Sequence, residues 1–175
     1  MIPKNSEREC IDKVQRVLGF MGIKAISINR LSDDEVLLER VLPNDDKYYI
    51  YIWCDSQGLL TFQSIVFKSV CGSAENESGF YQILLLYNTY LNFVSFGMTK
   101  AESEENKDEW DIVITTNRNC KEINPEIIHK IVRSFDYAFI EFVPQLKKWA
   151  HEHKLRFEGK ISKLIEEGFQ NRLEG

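Results

Sequence analysis

The sequence predicts an α+β fold in which an antiparallel sheet packs on helices, with elements in the order α-β-β-β-β-α-β-β-α. Three observations carry this reading. Four strand-like runs lie between residues 23 and 67, separated by polar breaks of only about four residues, which favours antiparallel pairing as a meander. An apolar helix pattern over residues 80–94 (FYQILLLYNTYLNFV) then passes into two further strand-like runs, VSFGMT and EWDIVITT. Directly after them, Asn124 and Pro125 give a helix start in NPEIIHKIVRSF, with Asn as cap and Pro at the first helical position.

Each element has a local reason. Ser6 and Glu9 make a capping-box pattern ahead of Ile11, Val14, Val17 and Leu18, which share one helical face, and Gly19 and Gly22 bracket the end of that helix. The strands are expected at about 23–30 (IKAISINR), 35–42 (EVLLERVL), 47–54 (KYYIYIWC) and 59–67 (LLTFQSIVF). Between them stand Leu31-Ser32-Asp33-Asp34, Pro43-Asn44-Asp45-Asp46 and Asp55-Ser56-Gln57-Gly58, all turn chemistry. Residues 69–79 read as a polar connector. In the following helix Phe80, Ile83, Leu84, Tyr87, Leu91 and Val94 form one apolar stripe, while Leu86, Tyr90 and Phe93 form a second. A helix apolar on two faces needs cover on both. The later helix repeats Ile128, Ile131, Phe135, Phe139, Phe142 and Leu146, with Pro144 expected to kink or break it. Phe157, Ile161, Leu164, Ile165 and Phe169 make one more amphipathic segment. The expected organisation is a single domain over residues 1–150 and a C-terminal helical extension over 151–175. The acidic run 102–109 reads as a solvated loop.

Composition narrows the function classes. Of the residues 43% are hydrophobic and 12% aromatic, which is ample for a core and speaks against disorder. A formal charge of −5 gives no general attraction to phosphate backbones. The late basic residues Lys147, Lys148, Lys154, Arg156, Lys160 and Lys163 read as a solvated helix face, so no nucleic-acid partner is expected. Residues 1–20 lack the apolar core of a signal peptide, and no run reaches the roughly 18 apolar residues of a membrane span. Cys10, Cys54, Cys71 and Cys120 are scattered without a CxxC pair, and reduced thiols in a cytoplasmic protein are expected.

Reaction centres are not legible. His151 and His153 are two apart and point about 200° from one another on a helix, so they cannot share a metal. His129 stands alone. There is no G-x-S-x-G elbow, no phosphate-binding glycine loop and no EF-hand spacing. The paired carboxylates Asp33-Asp34-Glu35 and Asp45-Asp46 sit where turns favour Asp. No catalytic residue, cofactor or metal is therefore expected.

The segment LLLYNTYLNFVSFGM (84–98), with Leu85, Leu86, Asn88 and Asn92, resembles the YbjN-type bacterial family, whose members carry a leucine-rich helix with asparagines near its end leading into a strand. EWDIVITT and FDYAFIEFVPQL also sit where that family places its last hairpin and helix, so the resemblance covers about residues 5–148. It implies the type III secretion chaperone-like fold, with no established catalysis, a regulatory role and dimeric relatives that hold partner polypeptides. The expected function is a non-enzymatic protein-interaction module, chaperone-like or regulatory. It would bind an unidentified protein partner through an apolar helix and sheet surface, and Leu86, Tyr90 and Phe93 are the candidate partner-binding residues. A homodimer is expected to cover them. The alternative is a small-molecule-binding protein or enzyme with a pocket between helix and sheet, lined by Tyr48, Tyr49, Tyr51, Trp53 and Trp110.

Overall fold

The computed structural model describes residues 5–20, 25–30, 35–100 and 109–158. Helix α1 (Asn5–Phe20) carries Cys10, Ile11, Val14 and Leu18 at helical spacing, and all four are buried. Strands β1 (Ala25–Arg30), β2 (Glu35–Val41), β3 (Lys47–Cys54) and β4 (Leu59–Cys71) follow as an antiparallel meander. The turns depend on the residues that supply them. Asp45 and Gly58 adopt φ of 64° and 78°, a region that Asp tolerates and glycine enters freely. Asp55 Oδ1 accepts from the amides of Gln57 and Leu59, each at 2.9 Å.

Helix α2 spans Ala74–Asn88, not 80–94. Its first turn lies inside the stretch expected to be a polar connector. Ser73 caps it by accepting from the Asn76 amide at 3.3 Å, and Glu77 Oε1 accepts from the Gly72 amide at 2.7 Å. At the far end Thr89 and Tyr90 turn back onto Leu86 and Tyr87 through bonds of 3.0 Å each. Leu91 and Val94 are buried as expected, but they enter the core from the loop beyond the helix. Leu86, Tyr90 and Phe93 therefore do not form a helical stripe.

Strands β5 (Ser95–Lys100) and β6 (Trp110–Asn119) complete a sheet of order β1-β2-β3-β4-β6-β5. Asp111, almost fully buried, accepts from the Ser69 amide at 2.9 Å. Ser69 has φ of 51°, at an irregularity in the pairing of β4 with β6. Helix α3 (Pro125–Tyr137) begins as the sequence requires, with Asn124 Oδ1 accepting from the Ile127 amide at 3.0 Å.

Pro144 does not break this helix. A π turn over Ala138–Phe142 intervenes, and α4 (Val143–Glu152) continues beyond it. Widening the turn just before a residue without an N–H absorbs the missing bond and the ring's steric demand. After α4, β7 (Arg156–Glu158) pairs with β4 at Lys68 and Cys71. The expected segment over 157–169 lies outside the described residues from 159 onward, and its first two residues belong to β7.

Alternation along the strands sends Val36, Leu38, Ile50, Ile52, Phe62, Ile112 and Ile114 to one face, where they form a single buried cluster with the apolar sides of the described helices. The α+β architecture, with its antiparallel sheet packed on helices, is as the sequence predicts. The order differs in detail through the π turn, a short 3-10 turn (Cys120–Glu122) and β7.

The cysteines depart from expectation. Cys10 of α1 and Cys120 after β6 form a disulfide, with Cα atoms 5.9 Å apart across a sequence separation of 110. Packing of α1 against α3 brings these ends together, and no spacing rule shows that in advance. Cys54 and Cys71 stand outside this bond, Cys54 buried and Cys71 half-buried. Among the described residues no helix is long and apolar enough to cross a membrane.

Candidate functional site

The exposed apolar surface gathers at the junction of α2 with the π turn. Among the described residues, eight large hydrophobics are exposed, and five of them lie on or next to these regions: Leu85 and Leu86 near the end of α2, Tyr90 just beyond it, Tyr137 at the end of α3 and Ile140 in the π turn. That concentration distinguishes a surface patch from the single exposed apolar residues found on any protein. Leu86 is 53% exposed and Tyr90 62%, so both sequence-predicted residues present their side chains to solvent.

The patch is built around Phe142. The Tyr87 ring stacks on it at 4.6 Å between centroids, Tyr90 approaches to 6.2 Å and Tyr137 meets it edge-on at 5.5 Å. Tyr87 is fixed further by its hydroxyl, which donates to Gln145 Oε1 at 3.0 Å. The π turn lies between Tyr137 and Val143, so one widened turn sets the directions of Tyr137, Ile140 and Phe142 relative to α2.

Phe93 has a different environment. It is half-buried against the core, and the Arg118 guanidinium and the Lys130 ammonium each lie 5.8 Å from its ring centroid. That geometry gives a cation–π contact and ties the residue to β6 and α3.

Beside the patch, Tyr137 and Ile140 continue into an open groove of about 720 Å³ bounded by Leu42, Pro43, Arg133 and the Arg40–Asp136 pair. Arg40 grips Asp136 with two prongs, Nε to Oδ1 at 3.2 Å and Nη2 to Oδ2 at 2.6 Å. The Tyr48 hydroxyl donates to Asp136 Oδ1 at 2.6 Å, and its ring stacks on Phe139 at 4.0 Å. Burial, then the neighbouring Asp136 carboxylate, pushes the Tyr48 hydroxyl well above the usual tyrosine range. Burial works against the Arg40 charge, but the Asp136 hydrogen bond and charge outweigh it and raise its pKa. Tyr48 thus stays a protonated donor and Arg40 a cation held against Asp136.

The aromatics considered for a pocket do not converge. Alternation turns Tyr48 to the helix side and Tyr49, Tyr51 and Trp53 to the opposite face, where Tyr51 and Trp53 lie 5.0 Å apart. Trp110 is half-buried at the start of β6, opposite Val70 and Lys100. A second, shallower hollow of about 390 Å³ is lined by Glu75, Asn76, Gln82, Trp149 and His153. His153 stacks on Trp149 at 3.8 Å. His129 and His151 are exposed. Neither hollow is lined by His129 or a cysteine. Among the described residues no three His, Cys, Asp or Glu side chains come together as metal ligands.

Sequence reasoning missed Tyr137, Ile140 and the Arg40–Asp136 pair. The first two fall on the outward side of a helix whose π turn has no plain sequence signature. The pair joins residues 96 apart, whose meeting only the fold determines. Compared with family models and with curated proteins, the sequence matches none.

Proposed function

We propose that this chain is a non-enzymatic protein-interaction module, chaperone-like or regulatory, which binds a partner polypeptide through the surface of Leu86, Tyr90 and Tyr137 around Phe142. The observation that carries the reading is the concentration of exposed apolar side chains there, on a rigid support of stacked rings. Aromatic side chains are enriched at interface centres, and a preorganised patch loses little entropy on binding. Phe93, the third candidate residue, sits on the flank of this surface and acts through packing. A homodimer is one occupant consistent with it. On the same reading the fold is of the type III secretion chaperone-like kind, residues 1–150 form one domain and the chain is YbjN-like and bacterial. The scattered cysteines point to a cytoplasmic setting, whereas the Cys10–Cys120 bond favours an oxidising compartment, where disulfides persist.

The alternative, a small-molecule site, has the 720 Å³ groove with Arg133 at its rim in its favour. The test is chemical cross-linking in native lysate with the full chain and its Leu86→Asp and Tyr90→Asp variants. Partners held by the unaltered chain and lost from both variants support the interaction reading. Identical capture by all three refutes it.

A further inference from the structure

Arg133, Tyr137 and Ile140 follow one another at steps of four and three residues, the spacing that brings side chains to one side of a helix. All three are exposed, and all three line the groove of about 720 Å³ beside the π turn. Val41, Leu42 and Pro43, where β2 runs out into its turn, line the same groove. The Arg40–Asp136 pair ties β2 to α3 between them. These walls are formed in advance. Leu42 packs against the core, its amide donates to the Asp46 carbonyl at 2.8 Å, and its carbonyl accepts from the Asp45 amide at 3.0 Å. On the helix side Phe139 is stacked on Tyr48 at 4.0 Å, which seats the π turn. The volume falls within the roughly 300–1,000 Å³ of small-molecule sites, and mainly apolar walls with few polar groups are their usual make-up.

The charges on the lining select the ligand. Arg40 and Asp136 engage each other at 2.6 Å, whereas Arg133 and Asp45 make no ion pair with any described residue. These two are not equivalent. Asp45 has a backbone reason for its identity, since it holds a φ of 64° at the tip of the turn, a conformation that Asp tolerates. Arg133 lies within α3, away from its caps and outside the buried residues of that helix, so neither capping nor core packing calls for arginine there. Its guanidinium stands on the same side as Tyr137 and Ile140, at the margin of an apolar wall. A guanidinium grips a carboxylate through two parallel hydrogen bonds. One uncompensated cation balances one negative charge, and the Asp45 carboxylate on the same lining disfavours an anion of higher charge.

We propose that this groove is a binding site for an apolar monocarboxylate, its carboxylate held by Arg133 and its hydrocarbon body lying against Tyr137, Ile140, Val41, Leu42 and Pro43. Tyr137 and Ile140 border the surface around Phe142 as well, but the groove's ligand is set by Arg133 and the β2 turn, so the assignment holds or fails independently of the binding of a polypeptide to that surface.

The test is isothermal titration calorimetry of the full chain with octanoate, octanol and octylammonium, which share a hydrocarbon body and differ in charge. The expected result is saturable binding of one octanoate per chain, about tenfold tighter than octanol, with octylammonium no tighter than octanol. Arg133→Gln, at an exposed position, is expected to bring octanoate down to the affinity of octanol while octanol itself is unaffected. No binding of octanoate, no advantage over octanol, tighter binding of octylammonium, or an advantage that survives Arg133→Gln would each overturn the proposal. Methyl resonances of the full chain locate the ligand. Octanoate is expected to shift those of Val41, Leu42 and Ile140 and to leave Leu85 and Leu86 unmoved. Shifts at Leu85 and Leu86 with Val41 and Leu42 unmoved would place it on the patch at the end of α2 instead and contradict the assignment.

Discussion

The side-chain amide of Asn88 occupies both backbone groups of Phe96, donating from Nδ2 to the Phe96 carbonyl at 3.0 Å and accepting at Oδ1 from the Phe96 amide at 2.6 Å. Phe96 lies on β5, at one end of the strand order, so this amide stands where the next strand's backbone would. One residue thereby ends α2, fixes the start of β5 and holds the loop from which Tyr90 projects. Asn88→Ala leaves both Phe96 groups without this partner. The expected cost is about 1–3 kcal/mol in urea unfolding, and a loss under about 0.5 kcal/mol would show that water replaces the amide without penalty.

The apolar side of α2 is core. Leu84 is 4% exposed, within the cluster that includes Phe80 and Phe142. Leu84→Ala is expected to destabilise the chain by about 2–5 kcal/mol, measured by the midpoint of urea unfolding at constant slope. An effect of about 0.5 kcal/mol or less, the size of a surface change, would place that side chain outside the core.

Much of this was legible in sequence because period and turn chemistry act locally. Asn124-Pro125 starts a helix, Asp55 and Gly58 close a hairpin, and alternation in KYYIYIWC separates Tyr48 from Tyr49. The sequence failed where distant pairs decide the outcome. Residues 91–94 keep a helical spacing, but Asn88 is drawn to Phe96 and the chain turns away. Of the expected site residues, Leu86 and Tyr90 reach the exposed surface. Phe93 instead packs against the core, with Arg118 and Lys130, remote in sequence, over its ring.

Arg40, Asp136 and Tyr48 act as a unit. Asp136→Ala strands a mostly buried guanidinium and a buried phenol, with an expected cost of about 3–5 kcal/mol. Asp136→Asn is expected to cost less, since its amide oxygen still accepts from Tyr48. Equal losses for both variants by thermal unfolding would show that the carboxylate charge alone matters.

The disulfide sets a covalent limit on the unfolded chain. Thiol titration in denaturant without reductant is expected to find two reactive thiols, Cys54 and Cys71. Cys10→Ser is expected to lower stability by about 2–5 kcal/mol, because the bond closes a long loop. Four reactive thiols would remove the bond from the structure.

The surface around Phe142 is the centre of the functional reading, and its most direct test is sedimentation velocity of the full chain at high micromolar concentration beside Tyr90→Asp. Tyr90 is largely exposed, so a charge there leaves the fold intact while placing an unpaired carboxylate in the centre of any contact. The expected result is a dimer for the unaltered chain and a folded monomer for Tyr90→Asp, with unchanged circular dichroism. A monomer for both, or a dimer that Tyr90→Asp leaves whole, would contradict the assignment of this surface to self-association.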